Sequence, residues 1–198
     1  MTRILNDEGL DQVFRNARSH TAWTEEPVSD VMLQAIYDLA RFGPTSANCS
    51  PMRVLFLKSP EAKARLKPHL SPGNVEKTMT APVTAIIGHD MAFHELLPRL
   101  FPFTDAKAWF DGAEKTAHRE ATAFRNGSLQ GAFMIVAARA LGLDCGPMSG
   151  FDPAGVDAEF FSGTQVRSNF LCNLGHGNAT TLHPRAPRLE FDEACEIL

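Results

Sequence analysis

Asn126–Leu141 reads NGSLQGAFMIVAARAL, and apolar residues fall on almost every face of the helix that this run would form. Such a pattern predicts a helix wrapped by other elements and not one lying on the surface. Gly131 and the alanines within the run leave room for neighbours to approach closely.

Working outward, Gly142–Asp152 (GLDCGPMSGFD) packs glycine and proline after the helix, with a strand near Cys145–Met148 and a turn behind it. A helix over 153–161 and a strand over 166–173 follow. Upstream, Met52–Leu57 (MRVLFL) reads as a strand. Ser59-Pro60-Glu61 has a cap, a proline at the first helical position and an acid behind it, which predicts a helix running towards Leu70. Residues 82–88 form a second strand, apolar enough to be central in a covered sheet. A helix is expected over 91–100, and the aromatic-rich segment 101–110 reads as loop. Nearer the start, Leu10, Val13, Phe14 and Ala17 recur at helical spacing on a helix ending near Arg18-Ser19-His20. Ser29-Asp30 opens another that buries Leu33, Ile36, Tyr37 and Ala40 before Gly43-Pro44 stops it. Strands separated by helices argue α+β or α/β, in one domain over residues 1–198.

Composition narrows the function. A net charge of −4 offers no basic face for phosphate backbones, so nucleic-acid binding is not expected. The four cysteines, Cys49, Cys145, Cys172 and Cys195, contain no C-x-x-C pair, which suggests reduced thiols in a cytoplasmic protein. The first residues carry acids and no apolar stretch of secretory type, and no window is apolar enough to span a membrane. No metal site is expected: His89 and His94 are off a common helical face and H-E-x-x-H is missing. G-x-S-x-G, G-x-G-x-x-G and P-loop patterns are missing too.

What remains is a set of polar clusters at element ends. Arg18-Ser19-His20 closes a helix, where a solvated terminus with dipole-complementing cations is the plain alternative. Pro44-Thr45-Ser46-Ala47-Asn48 follows another and could equally be a self-bonded turn. Asn74 and Lys77 stand three apart, as on any exposed helical turn, and Arg185 and Arg188 sit in a proline-rich tail.

In order and spacing these clusters resemble the nitroreductase family of FMN-dependent oxidoreductases over nearly the whole chain. The most specific match is Gly43–Arg53 (GPTSANCSPMR), joined by Asn74-x-x-Lys77, Gln130, the ARALGL run from Ala138, PMSGFD from Pro147 and PRLEF from Pro187. The resemblance implies an α+β nitroreductase-like fold, with a small, mostly antiparallel sheet wrapped by helices in an interlocked homodimer. Two FMN sites would lie at the interface. Arg18, Ser19, His20 and Arg188, with Arg185 assisting, would hold the phosphate and ribityl end, since guanidinium groups suit a dianion. Asn74 and Lys77 would face the pyrimidine edge of the flavin; where the family often carries a second basic residue, His20 or Thr21 stands, so O2 falls to Lys77. Pro147, Met148, Ser149 and Gly150 would lie along the ring, with a peptide N–H of Ser149 or Gly150 near N5. Pro44, Thr45, Ser46 and Asn48 would come from the partner subunit.

The same resemblance implies hydride passing from NADH or NADPH to a small-molecule acceptor by way of FMN, with no catalytic side chain of the protein. The segments GPTSANCSP, TAPVTAI, LFPF and LGLDCGPMSGFD are most similar to the branch of the family that reduces malonic semialdehyde to 3-hydroxypropionate in pyrimidine degradation. A carboxylate acceptor needs a cation, for which Lys107 and Arg125 are the candidates. A nitroaromatic or quinone reductase and a non-catalytic flavin-binding protein are the alternatives.

Overall fold

The computed structural model describes residues 3–198. Helix α1 (Asp7–Leu10), capped by the Asn6 side chain, runs into a wide π-type turn over Asp11–Arg15. The helical stretch thus ends before Arg18, and Phe14, expected on the buried stripe, is exposed. Helix α2 (Asp30–Ala40) starts where expected, with the Ser29 hydroxyl accepting from Met32 N–H at 3.1 Å. It buries Leu33, Ile36 and Ala40 but leaves Tyr37 about half open.

Strand β1 (Met52–Leu57) is followed by α3 (Pro60–Leu66), capped by Ser59, and by α4 (Pro72–Thr80). Then come β2 (Val83–Asp90), α5 (Leu97–Leu100), the long α6 (Thr116–Ala140), β3 (Asp144–Met148), α7 (Pro153–Phe160), β4 (Val166–Gly175) and α8 (Phe191–Ala194). The four strands form one sheet in the order β1-β2-β4-β3, every neighbouring pair antiparallel. The pairing is slipped by a bulge between Ile87 and Gly88.

Both faces of the sheet are covered, which explains why β2 is buried almost throughout. Val83, Ala85, Ile87, Cys145, Cys172 and Leu174 pack with α2 and α6 on one side. Ile86, Leu171 and Met148 pack with Leu66 of α3 and Val156 of α7 on the other. This is the strand period of two, read on opposite faces. A third cluster, with Phe93, Leu97, Phe110 and Ala123, lies under the 91–110 segment.

The small residues of α6 do what the sequence implied. A Cβ at Gly131 would come within 2.6 Å of the Phe170 ring, and one at Gly127 within 2.8 Å of His89 Cβ. The wrapping is nevertheless incomplete on this chain, because Phe124, Leu129 and Phe133 of α6 remain exposed.

Candidate functional site

Residues 18–20 are placed by the edge strand β3. His20 N–H donates to the Cys145 carbonyl at 3.0 Å, and Ser19 bridges Cys145 in parallel. This lays Arg18 and Ser19 beside a cavity of about 490 Å³ lined by Phe14, Arg18, Ser19, Arg139, Arg185 and Arg188, among others. Four guanidinium groups meet there and no carboxylate lines the cavity. Among the described residues each is bonded only to neutral carbonyl oxygens: Arg18 to His183, Arg185 to Arg15 and Ala17, Arg188 to Ala186 and Pro187, and Arg139 to Val13. Such a cluster has unspent positive charge and forked donors, the features that a phosphate dianion uses.

Along the same edge, Pro147 and Ser149 face outwards while Met148 is buried. Beyond the strand the chain meets the first turn of α4. The Gly150 carbonyl accepts from Asn74 Nδ2 at 2.7 Å and from Ser71 N–H at 3.1 Å. A Cβ on Gly150 would stand 2.7 Å from Asn74 Nδ2, so the bare backbone is what allows that contact. The peptide N–H groups of Ser149 and Gly150 have no protein acceptor among the described residues. Lys77 is fixed through its carbonyl, which accepts from Trp23 Nε1 and Asn173 Nδ2, each at 3.0 Å. The ammonium of Lys77 has no acidic partner among the described residues.

The expected residues therefore fall into two groups. Arg18, Ser19, Asn74, Lys77, Pro147, Met148, Ser149, Gly150, Arg185 and Arg188 share the β3 edge, its flanks and the arginine cavity. His20 is different, because its side chain turns inward: it is 6% exposed, with Nε2 at 3.3 Å from the Asp144 carboxylate and the ring against Gly177. Only its backbone serves the strand edge.

Pro44, Thr45, Ser46 and Asn48 stand apart, on a turn with left-handed backbone at Ala47 (φ 48°), Asn48 (φ 50°) and Ser50 (φ 40°). Ser46 N–H donates to Asn126 Oδ1 at 2.9 Å, Asn48 Nδ2 to the Leu100 carbonyl at 2.9 Å, and Ser50 N–H to Thr45 Oγ1 at 3.2 Å. No hydrogen bond among the described residues joins this turn to the β3 edge.

The two acceptor cations fare differently. Lys107 Nζ lies 2.6 Å from Glu95 Oε2, and that bond raises the lysine above its usual range and lowers the Glu95 carboxyl. Arg125 is exposed on α6 beside Phe124 and Leu129. His94, Glu95 and Asp111 bring possible ligand atoms within 4.8 Å of one another, with the Lys107 ammonium already against Glu95.

Sequence reasoning missed Arg139, Trp23, Ser71 and Asn173. Only Arg139 left a signal, as a charged residue in the last turn of an otherwise apolar run.

Comparison with known proteins fits this architecture. Residues 14–176 match the model of the nitroreductase family. A Burkholderia lata protein provisionally named NADH dehydrogenase/NAD(P)H nitroreductase is 63% identical, over 98% of this chain and 98% of its own. A Stenotrophomonas maltophilia protein of the same provisional name is 60% identical over the full length of both. Among solved structures, a provisionally named nitroreductase of Exiguobacterium sibiricum, determined in complex with FMN, superposes with a TM-score of 0.84. It covers 100% of both chains at 19% identity. With the fold, the matched span and relatives of this identity in agreement, the chain belongs to the nitroreductase family.

Proposed function

We propose that residues 1–198 form one FMN-binding domain of a cytoplasmic, NAD(P)H-dependent oxidoreductase that works as a homodimer with FMN at the subunit interface. The observations that carry the reading are the arginine cavity beside Ser19, which bridges Cys145 of β3, and the far end of that strand, where the Ser149 and Gly150 N–H groups lack a protein acceptor among the described residues. The donor set fits FMN: cations gathered without counter-charge for a phosphate, then bare backbone for a flat ring. When bound, FMN would supply the two-electron relay between nicotinamide and acceptor.

Arg18, Ser19, Arg185 and Arg188 hold the phosphate end, and the backbone of His20 keeps Ser19 on the strand. Ser149 and Gly150 offer peptide donors to the ring, Asn74 is held at its flank by Gly150, and Lys77 brings positive charge. Pro44, Thr45, Ser46 and Asn48 complete the site from the second subunit. The exposed aromatic face of α6, with Phe124, Leu129 and Phe133, supports a partner lying against it. All four cysteines are free thiols, and no described helix is long and apolar enough to cross a membrane.

For the acceptor, the reading is malonic semialdehyde reduced to 3-hydroxypropionate, with Arg125 facing the carboxylate in place of Lys107, whose ammonium is already paired with Glu95. A second reading, a nitroaromatic or quinone acceptor, is favoured by the names of the relatives and by Phe103 and Trp109, which lie exposed on the 101–110 segment. An acceptor panel under NADH and under NADPH decides between them. Turnover of malonic semialdehyde, weakened by Arg125→Ala, supports the first; turnover of nitroaromatics or quinones alone selects the second. Purified protein that is colourless and takes up no FMN overturns both.

A further inference from the structure

The α6 arginine sits in the cavity by a route different from that of its three companions. Arg18, Arg185 and Arg188 come from chain segments outside the core, whereas Arg139 projects from the last turn of α6, the most deeply packed helix of the fold. That helix end is fixed on its far side by Gln12 Nε2, which donates to the Arg139 and Ala140 carbonyls at 2.8 and 3.2 Å. The Arg139 guanidinium spends one nitrogen on the Val13 carbonyl at 3.3 Å, while its Nε is buried with no hydrogen-bond partner among the described residues. A buried guanidinium N–H without an acceptor is costly. No carboxylate lines the cavity to relieve it.

We infer that Arg139 is a fourth phosphate-binding residue, the helix-borne floor of the cavity that faces a dianion together with Arg18, Arg185 and Arg188. The inference rests on the FMN reading above, and goes beyond it in assigning a helix-borne guanidinium to the phosphate alone. A ligand with the same ring and ribityl chain but no phosphate gains nothing from Arg139. The residue therefore sets the preference for FMN over riboflavin.

The test uses apoprotein prepared by stripping flavin from the full chain, with Arg139→Gln and the charge-keeping Arg139→Lys. Loss of one charge-assisted, desolvated hydrogen bond should weaken FMN binding by roughly ten- to a hundredfold in Arg139→Gln, with Arg139→Lys in between, and leave riboflavin binding unchanged. Inorganic phosphate should raise the melting temperature of wild-type apoprotein and not that of Arg139→Gln. Equal losses for FMN and riboflavin would show a merely structural role and overturn the inference, as would unchanged FMN affinity. If wild-type protein bound no flavin, the FMN reading would fail. The phosphate arm would still decide whether Arg139 serves an anion site: a phosphate response lost in Arg139→Gln supports it, and one retained refutes it.

Discussion

Gly146→Ala should uncouple the phosphate end of the site from the sheet. A Cβ on Gly146 would lie 2.5 Å from the His20 carbonyl oxygen, 3.1 Å from Trp23 Cζ2 and 3.5 Å from Asn173 Cβ. The nearest of these is backbone and cannot rotate aside. It can retreat only by stretching the 3.0 Å bond from His20 N–H to the Cys145 carbonyl, the contact that sets Arg18 and Ser19 beside the cavity. Trp23 is pinned as well, by its 3.0 Å bond to the Lys77 carbonyl. Overpacking a filled site costs about 1–3 kcal/mol, and loss of one such bond about 0.5–1.5 kcal/mol. Together they give roughly 2–4 kcal/mol, a fall of roughly 4–16 °C in melting temperature for a chain of this size. FMN affinity should fall with it, since two anchors shift. Gly142→Ala is the control: φ is 86° and nothing lies within 4 Å, so strain there lowers stability without touching the site. Melting of apoprotein and flavin titration of both variants read the two effects separately. Gly146→Ala with wild-type flavin affinity would refute the claim that strand β3 positions residues 18–19.

Gly73→Ala has the opposite sign: Gly73 lies in α4 with open space where its Cβ would go, so the variant should gain about 0.5–1 kcal/mol in a chemical-denaturation curve. Arg188→Ala should lower the FMN content of purified protein, and unchanged occupancy would move the phosphate site elsewhere. Burial pushes the Cys49 thiol up to about 11 from its ordinary 9.0, so the folded chain holds a proton that the unfolded chain releases. That stability is complete below pH 9 and is lost as pH rises towards 11, and Cys49→Ala should flatten that part of the melting profile. Ser50→Gly should relieve a left-handed serine whose hydroxyl makes no bond among the described residues; relief of about 1–2 kcal/mol less about 0.5–1 kcal/mol of chain entropy leaves a small gain in melting temperature. A clear loss would show that the Ser50 side chain holds the turn.

Much of the fold was legible because local chemistry and tertiary structure agree. Ser29 and Ser59 cap the helices they were expected to cap, and β1 begins and ends on its predicted residues. Helix α6 was foreseen only from Asn126, yet it begins at Thr116. Its first turns, TAHREATAFR over 116–125, are largely polar and aperiodic, and among the contacts that hold them is a distant one, Arg167 to Glu120 at 3.1 Å. Strand order was illegible for a related reason, since a period of two says which face is buried but not which neighbour covers it. Of the segments expected at the site, PMSG was readable as a strand end running into a turn, because glycine and proline announce an unusual backbone. The inward turn of His20 was not, since it depends on Gly177 and Asp144, far away in sequence.

In the proposed dimer, the turn at residues 45–50 would complete the site of the partner subunit. Three left-handed non-glycine residues within four positions cost about 1–3 kcal/mol each. The bonds from Asn126, Leu100 and Thr45 return about 1 kcal/mol apiece. The bonds from its own chain thus offset the strain only at the lower end of that range, while Pro44, Ser46 and Asn48 remain exposed. Such strain motivates the proposal that the turn meets something from outside its own chain. In the proposed dimer that is the cofactor lying on the partner's β3 edge, so every contact it makes with the turn also holds the two subunits together. Cofactor affinity and dimer affinity then rise and fall by the same factor, whichever of the two is measured.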